Sequence, residues 1–211
     1  MDTQSVIPQK RRSVTKLSEF RKTAASYLTR VVVQLFARTP ITPNILTWFG
    51  FLLTLGAAAL IFTEHLFAAG FVVLVAGFFD MLDGALARST NRVTRFGAVL
   101  DSTLDRLSEA VLLLGILVIY AREQSTLGIS IVGLALISSL LVSYIKSRAE
   151  ALGLECEVGF FTRPERIIVL SLGLLLSQID YTLLVALGII AVFSFVTVSQ
   201  RLLHVWRQTR K

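Results

Sequence analysis

Four aspartates within 26 residues could do chemistry together: Asp80 and Asp83 in DMLDGALAR, then Asp101 and Asp105 in GAVLDSTLDR. Separations of three and four residues put each pair on one face of a helix. The flanking sequence is apolar enough to enter a membrane, where an unpaired charge costs roughly 3 kcal/mol or more. Something must therefore compensate these carboxylates. Hard oxygen donors with no adjacent His or Cys select Mg²⁺ or Mn²⁺ over zinc. Two such ions about 3.5 to 4 Å apart form the clamp used for displacement at phosphorus. The polar connection over 89–96 is short, so the two acid-bearing helices are expected to run antiparallel as neighbours. Helical rise then makes Asp80 and Asp105 a deep pair and Asp83 and Asp101 a shallower one.

Small residues accompany the acids. Gly84 follows Asp83, Gly77 precedes Asp80 by about a turn, and Gly97 opens the next helix, so a backbone or a substrate can come close. Ala87 extends that small surface, and Arg88 offers a guanidinium fork for phosphate. The order D-x-x-D-G-x-x-A-R, then G-x-x-x-D-x-x-x-D, is filled by Asp80, Asp83, Gly84, Ala87, Arg88, Gly97, Asp101 and Asp105. It resembles the signature of the CDP-alcohol phosphatidyltransferases, membrane enzymes of phospholipid synthesis, and the resemblance runs from Pro43 to about Arg201. It implies a CDP-lipid donor such as CDP-diacylglycerol, with a phosphodiester lipid and CMP as products. It also implies two Mg²⁺ ions, with Mn²⁺ as a substitute, held by Asp80, Asp83, Asp101 and Asp105, and Asp105 as the catalytic base. On spacing alone Asp80 is comparably deep, so the residues themselves do not choose the base. By the same resemblance Gly84, Ala87, Arg88, Thr94 and Gly97 contact the donor. So do Asn44, Ile45, Leu46 and Thr47, which match a P-N-x-x-T helix start; read alone, Asn44 serves equally as a helix cap.

The acceptor is addressed by a second group of cations. Lys146, Arg148, Arg163 and Arg166 fall at the ends of two predicted helices on the side of the acids, and with Arg201 they could surround a phosphate. The pattern K-x-R-A-E, R-x-x-R and Q-R is similar to the family branch of phosphatidylinositol phosphate synthases and archaetidylinositol phosphate synthases. That resemblance implies 1L-myo-inositol 1-phosphate as acceptor, with glycerol 3-phosphate as the alternative. Positive-inside bias would also place cations here, and Glu150 and Glu165 partly neutralise them. A reading of another class is a divalent-cation or ion-coupled transporter, which would spread its acids across the bilayer.

The remaining sequence must position these groups in a membrane. Of 211 residues 54% are hydrophobic, beyond an ordinary soluble domain. The net charge of +7 is scattered between apolar segments without aromatic interleaving, which argues against nucleic acid and for anionic lipid headgroups. The single Cys156 forms no intrachain disulfide and has no metal-ligand spacing around it. Residues 1–14 read as a flexible basic tail without a signal-peptide core, and 15–38 as a juxtamembrane amphipathic helix lying on the membrane. A six-helix domain is expected over 39–207, with spans at 45–63, 67–87, 97–120, 127–147, 165–178 and 181–203. The fold class is thus an all-α integral membrane protein of six transmembrane helices preceded by an interfacial helix. The basic residues fall on one side of such a bundle, which puts both termini and the acidic site on the cytoplasmic face of the cell membrane. The family resemblance further implies a homodimer.

Overall fold

The computed structural model describes residues 42–90 and 94–210, the Arg88 side chain excepted. The tail expected over 1–14 and the amphipathic helix expected over 15–38 lie outside the described residues. Those described form six helices: α1 (Pro43–Phe62), α2 (Leu66–Ser89), α3 (Arg95–Arg122), α4 (Thr126–Ala151), α5 (Arg163–Leu175) and α6 (Thr182–Thr209).

Local chemistry sets their starts. Thr42 is extended and Pro43 occupies the first turn of α1, where its missing N–H costs nothing. The Thr94 hydroxyl accepts from the Gly97 N–H at 2.9 Å to begin α3, and Ser125 accepts from Gly128 at 3.2 Å to begin α4. At α5 the Glu165 carboxylate reaches back to the Thr162 N–H at 2.9 Å and closes a capping box. The connections before α2, α4 and α6 each turn on a left-handed residue, Glu64, Gln124 and Tyr181.

By length and composition four helices can cross a membrane: α1, α2 as far as Ala87, α4 and α6. The other two fall short for identifiable reasons. α3 has the length but carries Asp101, Asp105, Arg106 and Glu109 within its first fifteen residues. α5 has 13 residues, about 20 Å at 1.5 Å per residue, against a hydrocarbon core of about 30 Å.

Packing closes the six helices into a ring. α1 packs on α2 and α3, α2 on α5, α5 on α6, α6 on α4, and α4 on α3. This corrects the expectation that the two acid-bearing helices are packed neighbours. α2 and α3 are not one of the closely packed pairs among the described residues; α1 lies against both, and the acids face each other across the gap. The buried apolar core occupies the other end, with Ile61, Val73, Ile116, Val132, Leu174 and Leu187 among its members. Chain order therefore sends the starts of α1, α3 and α5 and the ends of α2, α4 and α6 to the polar end.

One contact spans the interior there. The Arg166 Nε and Nη2 donate to the two Glu109 carboxylate oxygens at 2.5 and 2.7 Å, joining α5 to α3, and both side chains are buried. The parallel fork fixes orientation as well as distance. Removing one partner strands the other charge, so Glu109→Ala is expected to cost about 3 to 5 kcal/mol, whereas replacing both partners by leucine should cost far less. Denaturant unfolding in detergent checks this; a single variant as stable as the wild type would contradict it.

Candidate active site

The acids come from two helix ends. Asp80 and Asp83 lie in the last three turns of α2, and Asp101 and Asp105 in the first three turns of α3. One carboxylate oxygen from each of Asp80, Asp101 and Asp105 lies within 4.8 Å of the others. Asp83 stands apart from this trio and faces Asp101 across a separate cavity.

The trio has a counter-ion inside the protein. Arg163 Nη1, from the first turn of α5, lies 2.5 Å from Asp80 Oδ2 and 2.6 Å from Asp105 Oδ1. Only the Asp80 contact has hydrogen-bond geometry; Asp105 Oδ1 is buried and accepts no hydrogen bond. Asp83 Oδ2 is likewise buried without a donor. Two buried carboxylate oxygens lacking donors, beside a cluster of hard acids, fit a divalent cation. Asp80, Asp101 and Asp105 would hold it, with Asp83 positioned toward a second.

Three cavities meet at the acids. The first, of about 210 Å³, is lined by Asn44, Thr47, Asp83, Gly84, Ala87, Thr94, Gly97 and Asp101. Six of the nine residues expected to contact the donor stand here together with two of the acids. Gly97 is needed for its size: a Cβ would come within 2.8 Å of Thr94 Oγ1 and 3.0 Å of Asn44 Oδ1. Of the other three, Ile45 is exposed on the outer face of α1, and Leu46 packs with Leu82 and Leu86. The backbone of Arg88 continues α2 two residues beyond Leu86.

The second cavity, about 370 Å³, is an apolar groove between α1, α2, α3 and α5 that reaches Asp80, Asp105 and Arg163 at its polar end. The third, also about 370 Å³, gathers Lys146, Arg163, Arg166 and Arg201 with Ser102, Asp105 and Arg106. Four of the five expected acceptor cations therefore share it. Arg148 is exposed and does not line it. Lys146 pairs with Glu150 at 3.7 Å in the open, a contact of little energetic weight. Arg201 donates to the Val158 and Val142 carbonyls at 2.9 and 2.5 Å, which draws the connection before α5 against α6. Gly159 lets that connection approach, with φ of 117° and only 2.6 Å between a Cβ there and Thr197 Cγ2.

Two residues were missed in the sequence. Glu109 continues the i, i+4 spacing of Asp101 and Asp105, and that spacing was the available signal. Arg106 turns from the acids and donates to Ser147 Oγ at 2.6 Å, adding a cation to the third cavity.

A helical ring with opposed acid-bearing helix ends, an apolar groove and a cationic chamber describes a membrane phosphotransferase. The CDP-alcohol phosphatidyltransferase family model matches residues 40–199, and the chain belongs to that family. It is 38% identical over 180 residues to a phosphatidylinositol phosphate synthase of Mycobacteroides abscessus, covering 83% of this chain and 82% of that one. It is 35% identical over 196 residues to an archaetidylinositol phosphate synthase of Methanothermobacter thermautotrophicus, covering 92% and 96%. The phosphatidylinositol phosphate synthase of Mycobacterium tuberculosis superposes with a TM-score of 0.77 in a crystal structure with CDP-DAG bound, at 37% identity over 85% of this chain and 94% of that one. The same enzyme in complex with manganese and citrate gives 0.76, at 38% identity over 84% and 88%.

If the trio binds a cation in the folded state alone, cation must raise stability. At a Mg²⁺ concentration of 100 times its dissociation constant the gain is about 2.7 kcal/mol. The melting temperature in detergent should rise with Mg²⁺ and fall back with chelator, and Asp101→Asn should lose most of the shift. Equal shifts in both proteins would contradict the ligand set.

Proposed function

We propose that this chain transfers a phosphatidyl-type group from a CDP-lipid to a hydroxyl of a phosphorylated polyol of the inositol 1-phosphate type, releasing CMP. The observation that carries this reading is that Asp105 and Arg163 line both the apolar groove and the cationic chamber. A lipid phosphate entering from one side and an anionic alcohol entering from the other would meet at Asp105. The relatives named as inositol phosphate lipid synthases, and the one solved with CDP-DAG, support the same donor and acceptor here.

The roles follow from position. Asn44, Thr47, Thr94 and Gly97 surround a space suited to the nucleotide, and the groove receives a lipid chain. Lys146, Arg163, Arg166 and Arg201 face the acceptor's phosphate, which orients its hydroxyl toward the donor. Asp105 accepts the hydroxyl proton on a carboxylate oxygen as that hydroxyl oxygen bonds to the lipid-bearing phosphorus. The phosphorus–oxygen bond to CMP breaks, and CMP leaves with the electron pair. Mg²⁺ or Mn²⁺ bound by the aspartates supplies charge neutralisation at the diphosphate.

On this reading all six helices lie within the membrane, α3 and α5 being enclosed on both sides by apolar ring members. The polar end lies at the cytoplasmic face, where Lys146, Arg148, Arg163, Arg207 and Arg210 gather. Clustering of the acids at one end, above a closed apolar core, disfavours a transport path through the bundle.

Purified protein with Mg²⁺ and CDP-diacylglycerol should release CMP with inositol 1-phosphate, and release it much more slowly with free inositol or glycerol 3-phosphate. Asp105→Asn should lower turnover by roughly a thousandfold or more while retaining donor binding. CMP release that is indifferent to the acceptor's phosphate would overturn the acceptor assignment, and normal turnover in Asp105→Asn would remove that residue as base.

A further inference from the structure

We infer that Arg163 is an exchangeable counter-ion. It holds Asp80 and Asp105 until a divalent cation displaces it, and the freed guanidinium then turns into the cationic chamber to receive the acceptor's phosphate. Cation and acceptor consequently bind cooperatively. The acceptor half of this inference rests on the proposed function; the counter-ion half does not.

Two arginines one turn apart on α5 are held in contrasting ways. Arg166 presents Nε and Nη2 as a fork to both oxygens of Glu109 and is only 1% exposed, so its orientation is fixed. Arg163 uses one nitrogen, Nη1, for two different carboxylates. Each arginine leaves one buried nitrogen without a partner, Arg163 Nε and Arg166 Nη1, but only at Arg163 does the contacting N–H fail to point at one of its carboxylates, Asp105 Oδ1. The Arg163 side chain is 21% exposed. An end-on contact shared between two acids forgoes the paired bonds that make arginine–carboxylate contacts strong, and therefore yields more readily.

A cation and Arg163 compete for the same two carboxylates. Asp80 and Asp105 belong to the trio whose oxygens converge within 4.8 Å, and Arg163 Nη1 sits against those two residues. A dication bound there would face a guanidinium at contact distance, and like charges that close are strongly unfavourable. Arg163 must leave for the dication to stay. It need not travel far, because it lines both the groove and the cationic chamber. Side-chain rotation suffices, since the Glu109–Arg166 fork and the Thr162–Glu165 capping box hold the start of α5 in place. In the chamber the freed guanidinium meets the other phosphate-facing cations. An anionic acceptor that attracts it removes the competitor of the dication, and linkage requires the dication to favour the acceptor by the same factor.

The test uses the full chain in detergent, without donor, titrated with Mn²⁺ while free Mn²⁺ is followed by electron paramagnetic resonance. Wild-type protein should bind Mn²⁺ about tenfold more tightly when saturated with inositol 1-phosphate, and no more tightly with free inositol. Arg163→Gln should bind Mn²⁺ about tenfold more tightly than wild type without acceptor and show no further gain when acceptor is added. Arg163→Lys, which keeps a positive charge, should stay near wild type without acceptor. Binding in Arg163→Gln as weak as in wild type, or weaker, would overturn the counter-ion role. Coupling that persists undiminished in Arg163→Gln, or is absent in wild type, would overturn the exchange. The wild-type arms need no variant to fold. If the turnover assay rejects a phosphorylated acceptor, the acceptor-free comparison of wild type with Arg163→Gln still decides the counter-ion role.

Discussion

Carboxylates at the end of an apolar bundle need positive charge, and the rest of the structure is arranged around supplying it. Asp80, Asp101 and Asp105 bring oxygens together from helices that are kept apart, so their mutual repulsion must be offset by something placed between them. Arg163 supplies one charge through a single nitrogen. Its contact with Asp80 and Asp105 leaves Asp105 Oδ1 without a directed donor. Under the proposed function a dication would satisfy that oxygen. Glu109, on the same face of α3, is by contrast fully matched by Arg166. Neighbouring acids on one helix are thus divided between a fixed structural pair and an exchangeable functional one.

The ring gives that division its geometry. Because α1 packs against both α2 and α3, the gap between the acid-bearing helices is lined by the start of α1, where Asn44 and Thr47 stand. α5 is short, so its first turn delivers Arg163 and Arg166 at the depth of the acids, while its last turn reaches the apolar core. A long α5 is not needed, since α2 and α6 pack on either side of it. The apolar core at the far end seals the bundle and leaves the charged groups at one end, where under the proposed function the donor would keep its chains in the groove and its headgroup among the charges.

Much of this was legible in the sequence. The acids, their glycines and the starts of the helices carry strong local signals, and the capping residues Thr94 and Thr162 stand where the helices begin. Grouping of Asn44, Thr47, Gly84, Ala87, Thr94 and Gly97 around one cavity could be expected from the family pattern, but the pattern did not reveal that Ile45 points outward or that Leu46 is core. Pair spacing did not reveal the interposed α1, because a short connection fixes the distance between helix ends and not which helix fills the space beside them. Nor could it assign partners: Arg163 and Arg166 looked alike on a shared helix face, and only the packing of α5 against the interior sends one to the aspartates and the other to Glu109. Arg148, adjacent in sequence to chamber residues, is turned outward by the same helical geometry.

The claim on which all of this depends is that Asp80, Asp101 and Asp105 jointly ligate a divalent cation. Anomalous diffraction from crystals of this protein grown with Mn²⁺ reads that directly. A peak within ligand distance of all three carboxylates, with the Arg163 guanidinium withdrawn from Asp105, is the expected result. Saturating Mn²⁺ that leaves no peak between them, with Arg163 still against both Asp80 and Asp105, would contradict it.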